Sequence, residues 1–430
     1  MASSESRKNR VCIIGLDGVP FDLLVRLAEA GIMPAMHKLI QRGYLHRMKA
    51  SLPEVSCVSW TSFMTGANPG THGIFGFTDL REHTYQIRYP NFLDVKAPTI
   101  WDRLGEMGLK SIVINQPSTY PARRIEGALV AGFVAIELAK AIYPLSHLAV
   151  LEKMGYQTDI DTLRARQDHA FLWKELNSTL EGGRKAFQYF WDQEWNLFEF
   201  IVTGTDRLHH YLWDAQADST HPSHAAFMDY YKKVDGLIDQ IAARFQELTG
   251  GIKGMFLLSD HGFTGIVQEV YLNAWLARAG YLKFDSLPPK RMADIAPGTR
   301  AFALDPNRIY INLKGRFPRG VVEKAEKEAL KSEISAALKQ LEFGGNKVVR
   351  EVFDAEKIYS GPHVAQGPDL VVLAERGFDL KGSLEQQEIF GRSDLQGMHT
   401  WDDAFLWSSK DCGPDLSISD VAAKIMEEFE

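Results

Sequence analysis

Three aspartates each stand just past a short run of β-forming residues: Asp17 after residues 11–16, Asp206 after residues 198–202 and Asp260 after residues 255–258. Taken singly, each suits a turn or a helix cap. Together they suit neither, because carboxylates gathered at one end of a sheet raise one another's pKa, and only a cation readily tolerates the group. Two histidines extend the pattern. His210 follows Asp206 by four residues, so on a helix the two side chains share a face and can hold one ion. His261 follows Asp260 directly and precedes the flexible Gly262, an arrangement that also suits a plain hydrogen-bonded turn. Ser56 lies near the start of a helix expected within residues 53–66, where backbone N–H groups and the helix dipole favour an anion; a serine there also suits a cap.

Positioning these groups requires strands that end together. Residues 11–16 read as a buried strand, Asp17 to Pro20 as a turn, and residues 21–30, with Leu23, Leu24, Leu27 and Ala28 at helical spacing, as a helix stopped by Gly31. Further β-rich runs at 111–114, 129–134, 198–202, 255–258 and 370–373 are separated in many places by helical patterns. Parallel neighbours need crossover connections, which are usually helices, so the alternation predicts an α/β fold with a mostly parallel central sheet and helices on both faces. Ligands then gather beyond the carboxyl ends of the strands. Residues 288–318 are richer in Pro, Gly and Arg and hold a separate strand candidate at 308–312. A charged amphipathic helix is expected over 321–341, where Lys324, Lys327, Lys331 and Lys339 alternate with Glu323, Glu326, Glu328 and Glu333 as a solvated face. The chain thus divides into a first core part (10–265), an inserted smaller cap (266–365) and a returning core part (366–430).

The stretches Gly15-Leu16-Asp17-Gly18, the hydroxyl-rich segment ending in Met64-Thr65-Gly66, Asn68-Pro69-Gly70-Thr71-His72-Gly73-Ile74, Asp206 with His210, Ser259-Asp260-His261-Gly262 and Gly397-Met398-His399 stand in this order. In that set and order the chain resembles the alkaline phosphatase superfamily, most of all its nucleotide pyrophosphatase/type I phosphodiesterase-like branch of phosphohydrolases and phosphomutases. The resemblance runs from about residue 10 to residue 410. It implies an alkaline phosphatase-like fold and metal-dependent hydrolysis of phosphodiesters or phosphomonoesters. It makes Ser56 the nucleophile and a metal ligand, assigns Asp17, Asp260 and His261 to the same ion, and assigns Asp206, His210 and His399 to a second. His399 rests on the resemblance alone, since many of the 13 histidines look similar; His209 falls outside the pattern. Two divalent ions are implied, zinc first and manganese as the alternative, since mixed Asp/His ligation accepts both. They balance three aspartates and a serine alkoxide. The implied reaction is in-line attack by Ser56 on phosphorus, giving a phosphoserine that water hydrolyses.

Relatives that cleave nucleotide phosphodiesters commonly carry an asparagine where this chain has Ser59, which argues against a nucleotide diester. Arg81, Lys96, Arg207 and Lys381 are alternative donors to a phosphoryl group, and each also suits a surface charge. The sulfatase pattern of a modified Cys or Ser followed by Pro and Arg is absent around Cys57, which reads as a packing residue. Trp60, Trp101, Tyr120, Trp213 and Trp401 suit a pocket wall or the core. Two alternatives stay open: a phosphomutase using the same phosphoserine, and a metal-stabilised binding or regulatory module without turnover. The expected partner is a small-molecule phosphate ester, with nucleotides among the candidates.

Length and composition bound the rest. The 430 residues suit two or three domains, or one large α/β domain with an insertion. A net charge of −7 supplies no global positive field for a nucleic acid polymer or an anionic membrane. The three cysteines, Cys12, Cys57 and Cys412, are an odd number without CxxC spacing, which argues against a disulfide framework or zinc ribbon and fits a reducing cytoplasm. Residues 1–10 are polar and basic and lead into an apolar run too short for a secretory signal or a membrane span, so a cytoplasmic protein is expected. The oligomeric state is not legible.

Overall fold

The computed structural model describes residues 9–430. Its centre is an eight-stranded sheet built from β1 (Val11–Leu16), β2 (Tyr44–Met48), β3 (Ser111–Gln116), β4 (Gly127–Ala131), β5 (Ile142–Tyr143), β6 (Leu197–Val202), β7 (Met255–Leu258) and β8 (Ala404–Ser408) in the order β2-β8-β7-β1-β6-β3-β4-β5. The five strands β7, β1, β6, β3 and β4 run parallel; β2, β8 and β5 add antiparallel edges. This is the mostly parallel α/β sheet expected from the alternation of strand and helix patterns. β1 lies between β6 and β7 with Leu16 beside Val202 and Gly15 beside Leu258, so the three strands that precede the aspartates end at one level.

The pleat sends alternate side chains to opposite faces. Cys12, Ile14 and Leu16 of β1 join Phe198, Phe200 and Val202 of β6 in a core closed by α1 (Phe21–Glu29), α4 (His169–Trp191) and α6 (His224–Thr249). Val11 and Ile13 join Leu197 and Ile201 on the other face under α2 (Ser56–Thr65), α3 (Ile100–Glu106) and α8 (Val421–Met426). Helix α2 is buried along its whole length. It seats directly on β1 because Gly15 has no side chain there; a Cβ at Gly15 would collide with Ile201 and lie 2.6 Å from the Trp60 ring.

A second sheet is wholly antiparallel, in the order Ala301–Leu304, Arg308–Ile311, Leu370–Ala374, Val349–Asp354. Here the structure departs from the sequence reading. The run at 370–373 was expected in the central sheet but pairs on both edges within this second one, and the chain rejoins the central sheet only at β8. A short apolar run has the same appearance in either sheet, because periodicity carries no information on partners. The helix expected over 321–341 is shorter, a 3-10 turn at Lys324–Glu326 leading into α7 (Lys327–Leu338), because Val321 and Val322 are tied to Asn312 O. Nor is its charged side simply solvated. Lys331 is buried and bonds Asp354 at 2.8 Å, while Lys327 bonds Asp369 at 2.8 Å, so both lysines lock α7 onto the sheet. A two-stranded ladder pairs Gly262–Gly265 with Gly397–Thr400. Among the described residues no helix is long and apolar enough to cross a membrane.

Glu199 of β6 is an exception inside the core. It stands in one row with Ile13 of β1 and Val113 of β3, is fully buried, and neither carboxyl oxygen has a hydrogen-bond partner among the described residues. Burial pushes its pKa up to about 8 from 4.5. The folded state therefore keeps a proton that the unfolded chain loses, and stability falls as pH rises from about 4.5 to about 8. Urea unfolding of Glu199→Gln across this range is expected to show a flatter profile, with the variant gaining on wild type by up to roughly 4 kcal/mol at the alkaline end. Parallel pH profiles for the two proteins would contradict a protonated Glu199.

Candidate functional site

The three register-matched strands deliver their carboxylates to one place. Asp17 is the first residue past β1 and Asp260 the second past β7, and both are completely buried. Asp206 sits in the first turn of α5 (Gly204–Leu212), which starts two residues after β6 ends, and His210 follows one turn later on the same face. His261 adjoins Asp260. His399 reaches the site through the antiparallel ladder, in which it is the partner of Phe263. Ser56 opens α2 with its side chain 2% exposed, and its Oγ lies 3.0 Å from His261 Nε2. Val55 takes the N-cap position and Ser56 makes no capping bond, so the hydroxyl turns into the site rather than onto its own helix.

All seven sequence-predicted residues meet here, in two groups. Asp17, Asp260 and His261 form one, with Ser56 against it; Asp206, His210 and His399 form the other. The groups adjoin, since the rings of His261 and His399 stack with centroids 3.6 Å apart. Gly18, between Asp17 and α1, has φ +67° and ties the first group to α5: its N–H donates to Asp260 Oδ1 at 3.1 Å, and its carbonyl accepts from His209 Nδ1 at 2.9 Å. His209 spends its other nitrogen on the Tyr231 hydroxyl at 2.8 Å and belongs to neither group.

Each carboxylate has one oxygen tethered and one left over. Trp60 Nε1 donates to Asp17 Oδ2 at 3.2 Å, Gly18 N to Asp260 Oδ1, and Arg207 Nη1 to Asp206 Oδ2 at 2.9 Å. Asp17 Oδ1 and Asp260 Oδ2 are buried without a hydrogen-bond partner and lie 3.6 and 3.3 Å from His261 Nε2. Asp206 Oδ1 faces His399 Nε2 at 3.2 Å and His210 Nε2 at 3.4 Å. The histidines follow the same rule. His210 Nδ1 bonds Gly397 O at 2.9 Å, His399 Nδ1 bonds Glu54 O at 3.0 Å, and His261 Nδ1 bonds Gly262 O at 3.0 Å. A carbonyl only accepts, so every Nδ1 carries the proton and every Nε2 presents a lone pair inward. The Nε2 atoms of His210 and His399 are 3.0 Å apart, a repulsive contact unless a proton or a cation lies between them.

The titration behaviour follows from this crowding. Burial, then the charges of Asp260 and Asp206, hold Asp17 well above the usual carboxylate range; burial pushes Asp260 to about 7. Asp206 stays well below the range because His210, His399 and Arg207 outweigh its burial. Burial lowers His210 to about 3 and drives His261 down with it, whereas His399 is held up by Asp206 and Asp260 against its own burial. Neutral imidazole nitrogens and carboxylate oxygens converging on a point, each with its outer atom hydrogen-bonded, are the donors that divalent zinc or manganese takes. The residues present fit such ions.

The remaining basic candidates divide. Arg81 and Lys96 are exposed, as a surface reading expects. Arg207 is not a surface charge. It is spread over Asp206 and both oxygens of Asp159, at 3.1 and 2.7 Å, and so holds a site carboxylate rather than waiting for a phosphoryl group. Lys381 bonds Asp379 at 2.6 Å in a cleft of about 130 Å³, partly open to solvent, that has His210 and His399 in its wall. Ser59 Oγ accepts from Ser51 N at 3.3 Å and steadies the loop ahead of Ser56. Burial pushes the Cys57 thiol up to about 12, in keeping with a packing role. Of the aromatic candidates, Trp60 is core but also tethers Asp17, while Trp213 packs on His209 with centroids 5.1 Å apart. Asp159 and the carbonyls of Glu54 and Gly397 have no sequence signal, since any residue supplies a carbonyl and Asp159 stands in no motif.

The sequence model of the family described as type I phosphodiesterase/nucleotide pyrophosphatase matches residues 11–402. No curated protein matches the chain. Among solved structures, it is similar to phosphonoacetate hydrolase from Sinorhizobium meliloti in complex with phosphonoacetate, with TM-score 0.64 and 15% identity over 98% of this chain and 96% of that one. It is also similar to an inactive variant of murine ectonucleotide pyrophosphatase/phosphodiesterase 5 in complex with AMP, with TM-score 0.56 and 11% identity over 98% and 95% of the two chains. Both likenesses are of fold, the alkaline phosphatase-like one.

Arg207 makes a prediction that needs no ion. In chelator-treated protein, Arg207→Met leaves Asp206 and Asp159 without their shared cation, and denaturant unfolding is expected to show a loss of about 3 kcal/mol. Arg207→Lys is expected to recover only part of it, because an ammonium lacks the planar fork that reaches both carboxylates. Unchanged stability in Arg207→Met would show that the network does no structural work.

Proposed function

The chain belongs to the type I phosphodiesterase/nucleotide pyrophosphatase family of phosphoester hydrolases, and we propose that it hydrolyses small-molecule phosphate esters by way of a phosphoserine on Ser56, with two divalent ions, zinc or else manganese. One observation carries this reading. Three imidazole Nε2 lone pairs and three carboxylates turn inward in two adjoining groups, one of them against Ser56 Oγ, with two buried oxygens unpartnered, an arrangement that supports a pair of cations.

When bound, such ions supply Lewis-acid charge that makes a serine hydroxyl acidic and offsets the charge developing on a leaving oxygen. The chain's own part is placement. Asp17, Asp260 and His261 hold the ion beside Ser56; Asp206, His210 and His399 hold the other. The tethered outer atoms fix each side chain in one rotamer, which keeps the constellation ready before substrate arrives. Ser56 Oγ then attacks phosphorus in line, the new P–O bond forming as the bond to the alcohol oxygen breaks, and water releases the phosphoryl group in a second displacement. At the N-terminus of α2 the helix dipole favours the phosphoryl oxygens. Ser59 is engaged with its own loop, which supports a substrate held differently from that of the nucleotide diesterases.

Two measurements test the reading. Ser56→Ala in metal-replete protein is expected to lose turnover of chromogenic phosphate esters by on the order of 1,000-fold or more while keeping its bound metal, and only wild type should become phosphorylated during turnover. Full activity in Ser56→Ala would end the phosphoserine mechanism. Elemental analysis is expected to find about two divalent ions per chain and about one fewer in the double variant Asp260→Asn, His261→Ala. Equal metal content in the two proteins would place the ions elsewhere.

A further inference from the structure

The cleft beside His210 and His399 lies where the carboxyl end of the central sheet meets the second sheet and a three-stranded sheet of Phe378–Lys381, Gln268–Tyr271 and Phe390–Gly391. Its central-sheet side carries Glu54, two residues ahead of Ser56; its other side carries Asn307, from the turn between Ala301–Leu304 and Arg308–Ile311, and Asp379 and Lys381 on the strand Phe378–Lys381. Asn307 is 2% exposed. Its Nδ2 donates to Glu54 Oε2 at 3.1 Å, which fixes the amide, and its Oδ1 is left buried without a hydrogen-bond partner. Such an atom costs about 1–3 kcal/mol unless something donates to it. The wall of the cleft that holds it also holds two ligands of the proposed metal centre, so the cleft adjoins the place where a phosphoryl group would meet Ser56.

We infer that this cleft takes the alcohol portion of the substrate and selects a polyhydroxylated one, a sugar or polyol phosphate. This rests on the hydrolase reading above. The lining demands a guest that both donates and accepts. Asn307 Oδ1 and the carboxylates of Glu54 and Asp379 are acceptors, whereas the Lys381 ammonium has three N–H groups, of which the bond to Asp379 uses one. Hydroxyls do both. An ammonium guest cannot accept from Lys381, and an anionic guest meets two carboxylates against one lysine. A nucleobase would look for aromatic faces to stack on; among the described lining residues the two imidazoles, His210 and His399, are turned to the proposed metal centre, which leaves Phe378 alone for that role. The apolar parts of Val55, Leu380 and Met398 suit the C–H faces of a ring or carbon chain.

The test compares metal-replete wild type, Asn307→Leu and Lys381→Met on three monoesters: p-nitrophenyl phosphate, glucose 1-phosphate and 3-phosphoglycerate. Wild type is expected to prefer the sugar ester to the carboxylate-bearing one, and each variant to lower the sugar-to-aryl ratio of kcat/KM by roughly 10- to 100-fold. Thermal unfolding of both variants separates this from a failure to fold, and agreement between the two variants guards against a local defect in either. A ratio unchanged in both, or a wild-type preference for 3-phosphoglycerate or p-nitrophenyl phosphate, overturns the inference and leaves the hydrolase reading standing. Should wild type hydrolyse no ester at all, the hydrolase reading falls, and saturation-transfer NMR with methyl glucoside decides the cleft by itself: binding lost in Asn307→Leu upholds it, and no binding to wild type overturns it.

Discussion

Three carboxylates and three imidazole lone pairs are forced together in a buried place where, among the described residues, Arg207 on Asp206 is the one basic side chain bonded to them. Everything near the site is arranged so that this conflict cannot relax. Each carboxylate is tethered through one oxygen, to Trp60, to the Gly18 amide or to Arg207, and each histidine through Nδ1 to a backbone carbonyl, distant in the chain for His210 and His399 and adjacent for His261. Rotating any one side chain away would break its outer bond and strand a second buried polar group, at about 1–3 kcal/mol each. Burial and this crowding are also why titration of these groups is so strongly displaced from ordinary values.

The crowding has a backbone origin. β7, β1 and β6 are adjacent, parallel and in register, so the residues following them emerge at one level. A parallel sheet also requires both faces to be covered, and the helix that covers this end on one side is the one that begins with Ser56. Gly15 lets that helix approach β1 closely enough for the Trp60 ring to rest on the strand and its N–H to reach Asp17. Packing and chemistry share the same residues here: the indole that fills the core also orients a carboxylate.

The chain outside the central sheet enters the site by a separate route. The ladder of Gly262–Gly265 with Gly397–Thr400 carries His399 back to His261 across a long excursion of the chain, and the strands of that excursion supply the far wall of the cleft. Its charged residues do not behave as surface decoration. Lys327 and Lys331 clamp α7 to buried or half-buried aspartates, and Lys381 and Asp379 pair inside the cleft.

What the sequence determined by itself is whatever is local or periodic. Strand and helix alternation foretold the parallel sheet, Asp206 and His210 are one helical turn apart in the chain as in space, and an aspartate directly after a buried strand has nowhere to go but the strand's carboxyl end. The ordered motifs, through the superfamily resemblance, pointed to Ser56 and to His399, which no spacing could select, and the fold brings both to the three aspartates. Tertiary structure decided what depends on partners distant in the chain. It set which sheet the run at 370–373 joins, whether Arg207 and Lys331 face water or a buried carboxylate, and that a plain carbonyl at Glu54 orients a histidine 345 residues away. Those outcomes leave no local trace because a basic side chain, a short apolar run and a peptide carbonyl are the same in any setting; only the neighbours that the fold brings to them give each its energy and its use.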